Sequence, residues 1–415
     1  MLKRIRYQII LGLLIGVVCP VLLRQIVFGV PFYVSTQIFT IMGGAIALVM
    51  GYIGYRRMLL FPGISSGGYV ITSLTITFSI LVILMFIMRL DYSRLQLLNC
   101  YILSTGTLLF IHLKVERHRK LVFAYVAGGL TGELPKIPHV DWRRIDAPDA
   151  ILDAIDAVVV DLHSDHDDRW ESAIAKWVLT GIPVYDARSA REQLTGRVEI
   201  NHLYENTLGS LNPNNVLLKI KSVLDFFISL CLIIMFLPLM IVVAIAIKID
   251  SPGPAIFRQK RMGFRAQIFT VYKFRTMRVA TESQDTEALR KSAMTQDDDV
   301  RITKFGRILR RTRLDELPQL FNILKGDMSL IGPRPEALSL SQWYEKQIPF
   351  YHYRHIIKPG LTGWAQVSQG HVTDVTDVRE KLNLDFYYVK NYSVWLDMLI
   401  MLRTAAIMVT GTGAR

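Results

Sequence analysis

The run Val223–Ile247 constrains this chain more than any other stretch. It is apolar apart from a few positions, among them Asp225 near its start and Pro238 near its middle. A helix needs about 20 apolar residues to cross a bilayer, and this run has them. Lys219 and Lys221 flank one end; Lys248, Arg258, Lys260 and Arg261 flank the other. A straight crossing puts one of these basic clusters on the outer face, against the tendency of Lys and Arg to stay cytoplasmic. It also exports everything that follows. Proline lacks a backbone donor and clashes with the preceding turn, so a helix broken at Pro238 can enter and return on one face. The sequence therefore predicts a re-entrant helix over 222–248, with a simple span as the alternative.

Four apolar runs come earlier: Tyr7–Leu23, Ile38–Ile53, Tyr69–Met88 and Leu95–Leu113. Each approaches the length of a membrane helix, the first two falling short of it. Lys3, Arg4 and Arg6 precede the first run. Arg56 and Arg57 follow the second, and Lys114, Arg117, Arg119 and Lys120 follow the fourth. The intervening loops hold only Arg24, then Arg89, Asp91 and Arg94. Both ends of a four-helix region over 1–114 are thus expected on the cytoplasmic side. Gly43, Gly44 and Gly51 would let helices approach closely.

Hydrophobic residues make up 51% of the chain, above ordinary soluble usage, which points to an integral membrane protein. The formal charge of +13 then tracks cytoplasmic faces and anionic membrane lipids. No zinc-finger spacing or RNA-binding signature accompanies it, so no nucleic-acid partner is expected. Cys19, Cys100 and Cys231 lie far apart in apolar segments and read as small hydrophobes, with no disulfide framework. The N-terminus has a basic start but no small-residue cleavage site, and reads as a retained anchor.

From Leu121 to Ile200 the composition turns soluble. LVFAYV and DAVVVDL read as buried strands, Trp170–Leu179 as a helix and IPVYD as a further strand. That order predicts a small parallel α/β unit, with 115–206 as its extent. AGGLTGE supplies Gly128, Gly129 and Gly132 but no G-x-G-x-x-G, so the expectation is a degenerate Rossmann-like domain without a working phosphate loop. HSDHDD offers His163, Asp165, His166, Asp167 and Asp168 to a metal, though such a cluster after a strand is more often a solvated loop. A linker over 207–217, rich in Asn with Gly and Pro, separates this unit from 218–415.

Between Lys219 and Arg278 stand ten Lys or Arg against two Asp. Ser251–Pro254 is a turn, and IFRQKRMGFRAQIFTVYKFRTM reads as a short hairpin. Ala280–Asp299 is polar and acidic, a loop or short helix. Phe305, Ile308 and Leu309 have helical spacing, which predicts a helix with one buried face and arginines opposite. It leads into RRTRLDELPQLFNILKGDMSLIGPRPE, where Asp315 and Glu316 follow Arg307, Arg310, Arg311 and Arg313. Two carboxylates beside several guanidiniums suit a reaction on a phosphate. One carboxylate can attack phosphorus or hold Mg²⁺, and Arg forks bind phosphate oxygens in pairs. A salt-bridged helix start is the bland alternative. Trp343, Tyr344, Phe350, Tyr351 and Tyr353 suit a membrane interface or a core equally. Val394–Val409 is interrupted by Asp397 and Arg403, and reads as an interfacial or packed helix.

LDELPQLFNILKGDMSLIGPRP, together with GPAIFRQKRMG, YKFRTM and KPGLTGWAQV, resembles the bacterial sugar transferases, the monotopic phosphoglycosyl transferases that load a sugar phosphate onto a polyprenyl phosphate. The likeness runs from Lys219 onward, and the upstream apolar runs resemble the family's long, multi-span branch. It implies a membrane α-helical bundle, the degenerate α/β domain, and a small α/β transferase domain with a re-entrant helix broken at Pro238. It implies a UDP-sugar and undecaprenyl phosphate as substrates, and release of UMP as surface polysaccharide assembly begins. The protein would lie in the bacterial inner membrane with its catalytic domain facing the cytoplasm, and a homodimer is implied for the long branch.

The resemblance also assigns roles. Asp315 would attack the sugar-bearing phosphorus, and Glu316 would help hold Mg²⁺. Arg310 and Arg334 would bind phosphate oxygens, with Gln259, Arg261, Lys273 and Arg275 beside the phosphates of lipid or nucleotide. Lys358, Thr362 and Gln366 belong to a loop that would help bind the nucleotide sugar, and Asp385 and Tyr388 stand at family positions. One departure is Leu237, where the family often has a Ser whose hydroxyl ties up backbone freed by the proline. Unpaired backbone is costly in lipid, so another group must compensate.

Two other classes compete. A non-catalytic scaffold of polysaccharide assembly would keep the fold, but intact Asp315, Glu316 and Arg334 argue against it. A membrane oxidoreductase built on the middle domain needs a phosphate loop that the sequence lacks.

Overall fold

The computed structural model describes residues 4–29, 31, 34–59, 61, 67–116, 120–137, 140–150, 155–199, 215–278, 301–369 and 375–410. The acidic stretch Ala280–Asp299 and most of the expected linker lie outside these residues. The chain divides into two units, Met1–Gly196 and Arg197–Arg415.

The first unit opens with helices α1 (Ile5–Phe28), α2 (Ser35–Met58), α3 (Gly68–Ile87) and α4 (Arg94–Ile111). By length and composition each is capable of crossing a membrane, α4 together with the turn that follows it. The first two run longer than their apolar cores, at 24 residues each, which removes the shortfall. Their polarity is inverted relative to a soluble bundle. Gln8, Gln37, Thr40, Gln96 and Ser104 are buried, whereas Ile26, Phe86 and Ile87 point outward. Apolar faces gain nothing from hiding in lipid, so polar groups and close approach hold such helices together. The Tyr52 hydroxyl donates to Gln8 Oε1 at 2.6 Å, and Ser73 Oγ donates to the Gly51 carbonyl at 2.7 Å. A Cβ at Gly51 would sit 2.6 Å from Leu74 Cδ2, so α2 and α3 meet there at glycine distance.

The parallel α/β sheet follows in the order β2-β1-β3-β4, formed by β1 (Leu121–Val126), β2 (Val140–Ile145), β3 (Ala157–Val160) and β4 (Val184–Asp186). Every pairing is parallel. All four residues of β3 are buried, as expected of a central strand covered on both faces. On one face Val158 and Val160 pack with Trp177 of helix α5 (Asp168–Leu179). On the other, Val159 meets Ala187 and Ala190 of α6 (Ala187–Thr195). The strand β2 escaped the sequence reading because VDWRRI mixes its few apolar residues with three charges. Past β3, Asp161 turns its carboxylate onto the glycine loop after β1, where Oδ2 accepts the Leu130 N–H at 2.8 Å.

The second unit begins with α7, a helix of 36 residues from Asn215 to Asp250. It starts inside the expected linker and continues through Pro238, where the sequence predicts a break. One stripe is buried along its length, made of Asp225, Ser229, Ile233, Met240, Val243 and Ile247. The opposite face, with Phe227, Ile234, Met235, Val242 and Ile249, is exposed. The buried stripe lies on the core of the second unit. Ile233 packs with Val271, Leu320 and Ile323, while Met240, Val243 and Ile247 pack with Phe274 and Leu309.

That core is built on an antiparallel hairpin, β5 (Ile256–Met262) and β6 (Ile268–Phe274), which pairs Gln259 with Val271 and Arg261 with Phe269. Helix α8 (Lys304–Arg311) starts at Thr303, whose hydroxyl accepts the Gly306 N–H at 2.9 Å. Its buried face is Gly306 and Leu309; Ile308, expected inside, is 57% exposed. The chain continues through α9 (Gln319–Lys325), β7 (Ser329–Ile331), α10 (Leu338–Gln347), β8 (Gly360–Thr362), α11 (Trp364–Ser368), α12 (Val375–Lys390) and α13 (Val394–Thr410). β7 and β8 pair in parallel. Tyr344 and Tyr351 are core residues, and α13 buries Leu396, Leu399 and Ile400, so it is a packed helix.

Candidate active site

Arg313 turns the chain out of α8 in the left-handed conformation (φ 58°) and starts a tight turn, Leu314–Glu316, that presents both carboxylates. Few residues other than glycine adopt this conformation. Glu316 Oε1 receives Lys273 Nζ at 3.1 Å and Arg334 Nη2 at 3.0 Å, with Arg313 Nη1 at 3.9 Å. Burial alone would raise the Glu316 pKa, but these three cations outweigh it and hold the carboxyl well below the usual range. The contacts all fall on Oε1, so among the described residues Oε2 is left open.

Asp315 is the opposite case. Its Oδ1 is buried and has no hydrogen-bond partner. Burial and then the charge of Glu316 push its pKa up, against the pull of Lys273, Arg334 and Arg310. The pair thus holds one carboxylate firmly ionised and bound, and one poised and unbound. Environments that drive neighbouring pKa values apart are a mark of sites that do chemistry. Burial also brings Lys273 down to about 8 despite Glu316, and Arg261 down to about 10, with Arg334 adding to the latter shift.

Arg334 is fixed from behind. Its carbonyl accepts from Arg354 Nη2 at 2.9 Å, and Arg354 pairs with Asp385 at 2.8 Å and donates to the Tyr351 hydroxyl at 2.6 Å. Arg261 donates to the Pro335 carbonyl and to Gln259 Oε1, the latter at 2.8 Å. The turn carrying Arg334 is also locked to the glycine loop beyond β8. The Gly332 N–H bonds the Thr362 carbonyl at 2.8 Å, and the Gly360 N–H bonds the Pro333 carbonyl at 2.9 Å. A Cβ at Gly360 would lie 2.0 Å from the Gly332 nitrogen, and one at Gly363 would lie 2.2 Å from the Gly332 carbonyl oxygen.

The structure therefore gathers Asp315, Glu316, Lys273, Arg334, Arg261 and Gln259, and Arg310 adds positive charge near Asp315. Other expected residues do different work. Arg275 turns to the C-terminal end of α7, where Nη2 donates to the Ser251 carbonyl at 2.6 Å and to its Oγ at 3.0 Å. It closes a helix end, and its contacts give no support to a phosphate role. Asp385 is committed to Arg354 and acts through Arg334. Thr362 Oγ1 meets Thr404 Oγ1 at 2.7 Å, tying β8 to α13, and Lys358 Nζ donates to Ser222 Oγ at 3.3 Å. Gln366 Nε2 lies 3.5 Å from the Leu361 carbonyl, while its Oε1 is buried without a partner. In the middle domain, Asp161, His163 and Asp186 come within reach of one another. Asp186 is engaged as a cap, accepting from the Arg188 and Ser189 N–H groups; Asp167 likewise caps α5. Of the expected cluster, His163 lies beside Asp186 and Asp167 serves as the cap.

The family described as bacterial sugar transferase matches residues 216–411. The UDP-N-acetylgalactosamine-undecaprenyl-phosphate N-acetylgalactosaminephosphotransferase of Aeromonas hydrophila is 40% identical over 406 residues, covering 98% of this chain and 95% of its own length. The chain belongs to the bacterial sugar transferase family. Two UDP-glucose:undecaprenyl-phosphate glucose-1-phosphate transferases match about half of the chain. That of Xanthomonas campestris pv. campestris is 39% identical over 199 residues, 48% of this chain and 40% of its own length. That of Caulobacter vibrioides is 42% identical over 196 residues, 47% of this chain and 71% of its own length.

Within this sugar transferase some supporting residues left no local signal. Asn322 is fully buried, donating to the Thr270 carbonyl at 2.7 Å and accepting the Tyr272 N–H at 3.0 Å. It ties α9 to the strand that carries Lys273. Glu336 pairs with Lys381 at 2.5 Å, and burial is outweighed by Lys381 and Arg354 in holding its pKa low. The only hint in the sequence is Asn and Glu within otherwise patterned motifs.

Proposed function

We propose that this chain transfers a hexose 1-phosphate from a UDP-sugar to undecaprenyl phosphate, releasing UMP, and so opens the assembly of a surface polysaccharide. One observation carries the reading: the unpartnered, buried Asp315 Oδ1 beside a Glu316 held ionised by Lys273, Arg334 and Arg313. The Aeromonas relative, named for N-acetylgalactosamine, matches along nearly the whole chain, so UDP-N-acetylgalactosamine is the first donor to test.

The reaction runs in two displacements at one phosphorus. Ionised Asp315 attacks the phosphorus bonded to the sugar; the bond to the bridging oxygen breaks, and UMP leaves with its electron pair. An oxygen of undecaprenyl phosphate then attacks the same phosphorus and expels the Asp315 carboxylate unchanged. Arg334 and Arg310 bind the phosphate oxygens, while Arg261 and Gln259 hold the Pro335 side of the turn. Lys273 supplies a charge that its burial makes easy to lose. Glu316 would hold a magnesium ion through its open Oε2. Bound there, it would neutralise the diphosphate. Glu316 keeps Oε1 on its three cations throughout.

The placement of α7 supports a re-entrant or in-plane helix at the cytoplasmic leaflet of the inner membrane. A straight helix of 36 residues is about 54 Å long, well beyond a bilayer core. Both of its ends are held by the same core, through Lys221 with Asp397 at 2.5 Å and through Arg275 with Ser251. The four N-terminal helices are proposed as spans and the sheet as a Rossmann-like fold that binds no nucleotide, since Asp161 takes up the loop N–H that a phosphate would meet. A homodimer is the proposed assembly.

The test is UMP release by the purified full-length protein with undecaprenyl phosphate and a panel of UDP-sugars. Mass spectrometry of enzyme given donor alone is expected to show the added phosphosugar on Asp315. Release of UMP with no such adduct would overturn the covalent route, and no release with any donor would leave a scaffold.

A further inference from the structure

A pocket lies apart from the carboxylate pair. At the start of α7 a cavity of about 750 Å³ opens between Lys219, Lys221 and Ser222 of the helix, Phe264 and Arg265 at the tip of the hairpin, and Lys358. None of Asp315, Glu316, Lys273 or Arg334 lines it. Asp397 neutralises Lys221, but no ion pair among the described residues engages Lys219, Arg265 or Lys358. The one carboxylate in the wall, Asp225, accepts the Leu330 N–H at 3.4 Å.

Three features fix what such a pocket would take. Its rim carries three unneutralised cations, so the ligand is an anion. Val223 in the wall and, just beyond it, Leu224 and Phe227 of α7 are each at least half exposed, so the cations stand at the edge of an outward-facing apolar surface. Finally, the hairpin tip holds Arg265 (φ 51°) and Ala266 (φ 58°) in succession in the left-handed region. Residues with a Cβ persist there only where the surroundings demand it, commonly at ligand clamps. Here the strained tip delivers Arg265 to the pocket mouth.

We propose that this pocket binds the phosphodiester headgroup of an anionic bilayer phospholipid, whose acyl chains lie along the exposed face of α7. It is a lipid site additional to the acceptor's, and binding there does not depend on the transferase reading. Its wall includes Ser329 and Ile331 of β7, and Arg334 follows three residues later, so occupancy steadies the strand that places Arg334. The lipid acts as an activator.

The experiment uses the full-length protein in a neutral detergent, with dioleoyl phosphatidylglycerol, dioleoyl phosphatidylcholine or undecaprenyl phosphate as probes. Native mass spectrometry reads binding and UMP release reads activity. One phosphatidylglycerol per chain is expected to bind about tenfold tighter than phosphatidylcholine and to stimulate release. In Lys219→Gln/Arg265→Gln that preference and the stimulation disappear, while detergent-only activity and undecaprenyl phosphate binding stay unchanged. Arg265→Gly relieves the left-handed strain, so it should melt no lower than wild type yet lose the phosphatidylglycerol preference, which separates binding from folding. Equal binding of the two phospholipids, or a preference that survives both variants, overturns the proposal. So does competition in which undecaprenyl phosphate displaces phosphatidylglycerol and is itself weakened by the variants, since the pocket would then be the acceptor's own.

Discussion

Asp161 is buried and Asp315 half-buried with its Oδ1 enclosed, each just past an ordered element, and they do opposite things. Both oxygens of Asp161 are occupied, Oδ2 by the Leu130 N–H at 2.8 Å and Oδ1 by the His163 N–H at 3.1 Å. Its carboxylate fills the glycine loop so closely that a Cβ at Gly129 would fall 2.0 Å from Oδ2. Asp315 keeps Oδ1 buried and unbonded, although Lys273, Arg334 and Arg310 all bear on it. A buried polar atom without a partner is costly, and at Asp315, with three cations bearing on it, the open oxygen is available to a ligand. Burial and residue type do not separate structure from chemistry here. The difference is whether the lone pairs already have donors.

The strongest way to break this contrast is to neutralise each aspartate. Asp315→Asn is expected to lower UMP release by about four orders of magnitude or more, as for other nucleophiles that act within a unit. Glu316→Gln comes next. It leaves the half-buried Lys273 and Arg334 without their shared anion, with a loss of about 3 kcal/mol in stability and on the order of a hundredfold in rate. Chemical denaturation and UMP release measure the two parts. Arg334→Lys keeps the charge but loses the planar fork, and about a tenfold fall in kcat is expected.

The pH profile sharpens the same comparison. The Asp315 pKa is raised, so acid protonates this proposed nucleophile at a higher pH than the value of about 3.9 for a solvated aspartate. Lys273 titrates near 8, so its charge is lost as pH rises past that point. The rate should rise through mildly acid pH and fall above about 8, and Lys273→Met should remove the alkaline fall. The smallest effect belongs to Asp161→Asn. UMP release is expected to stay within about twofold, while the melting temperature drops by a few degrees as its two loop hydrogen bonds weaken.

Much of this was legible in the sequence. Hydrophobic runs gave β1, β3 and β4, the hairpin and the apolar helices, because periodicity and turn residues are local signals. Adjacent Asp315 and Glu316 in an arginine-rich helix end pointed to the carboxylate and guanidinium cluster that the fold assembles there. What was not legible depends on partners far along the chain. Arg275 sits in a motif with Lys273, yet one side chain reaches Glu316 and the other reaches Ser251. The passage of α7 through Pro238 also had no local sign, since its buried stripe rests on the hairpin and on α9. Nor could spacing distinguish Ile308, which faces outward, from Leu309, which is buried.

The glycine contacts at 332, 360 and 363 bear on attempts to redesign the turn that carries Arg334. Two loops whose backbones touch cannot be adjusted independently, and any added side chain at these three positions would pry them apart. Combinatorial libraries should leave them fixed and vary the side chains that surround the interlocked pair. Screens that randomise the whole KPGLTG segment would mostly sample misassembled protein.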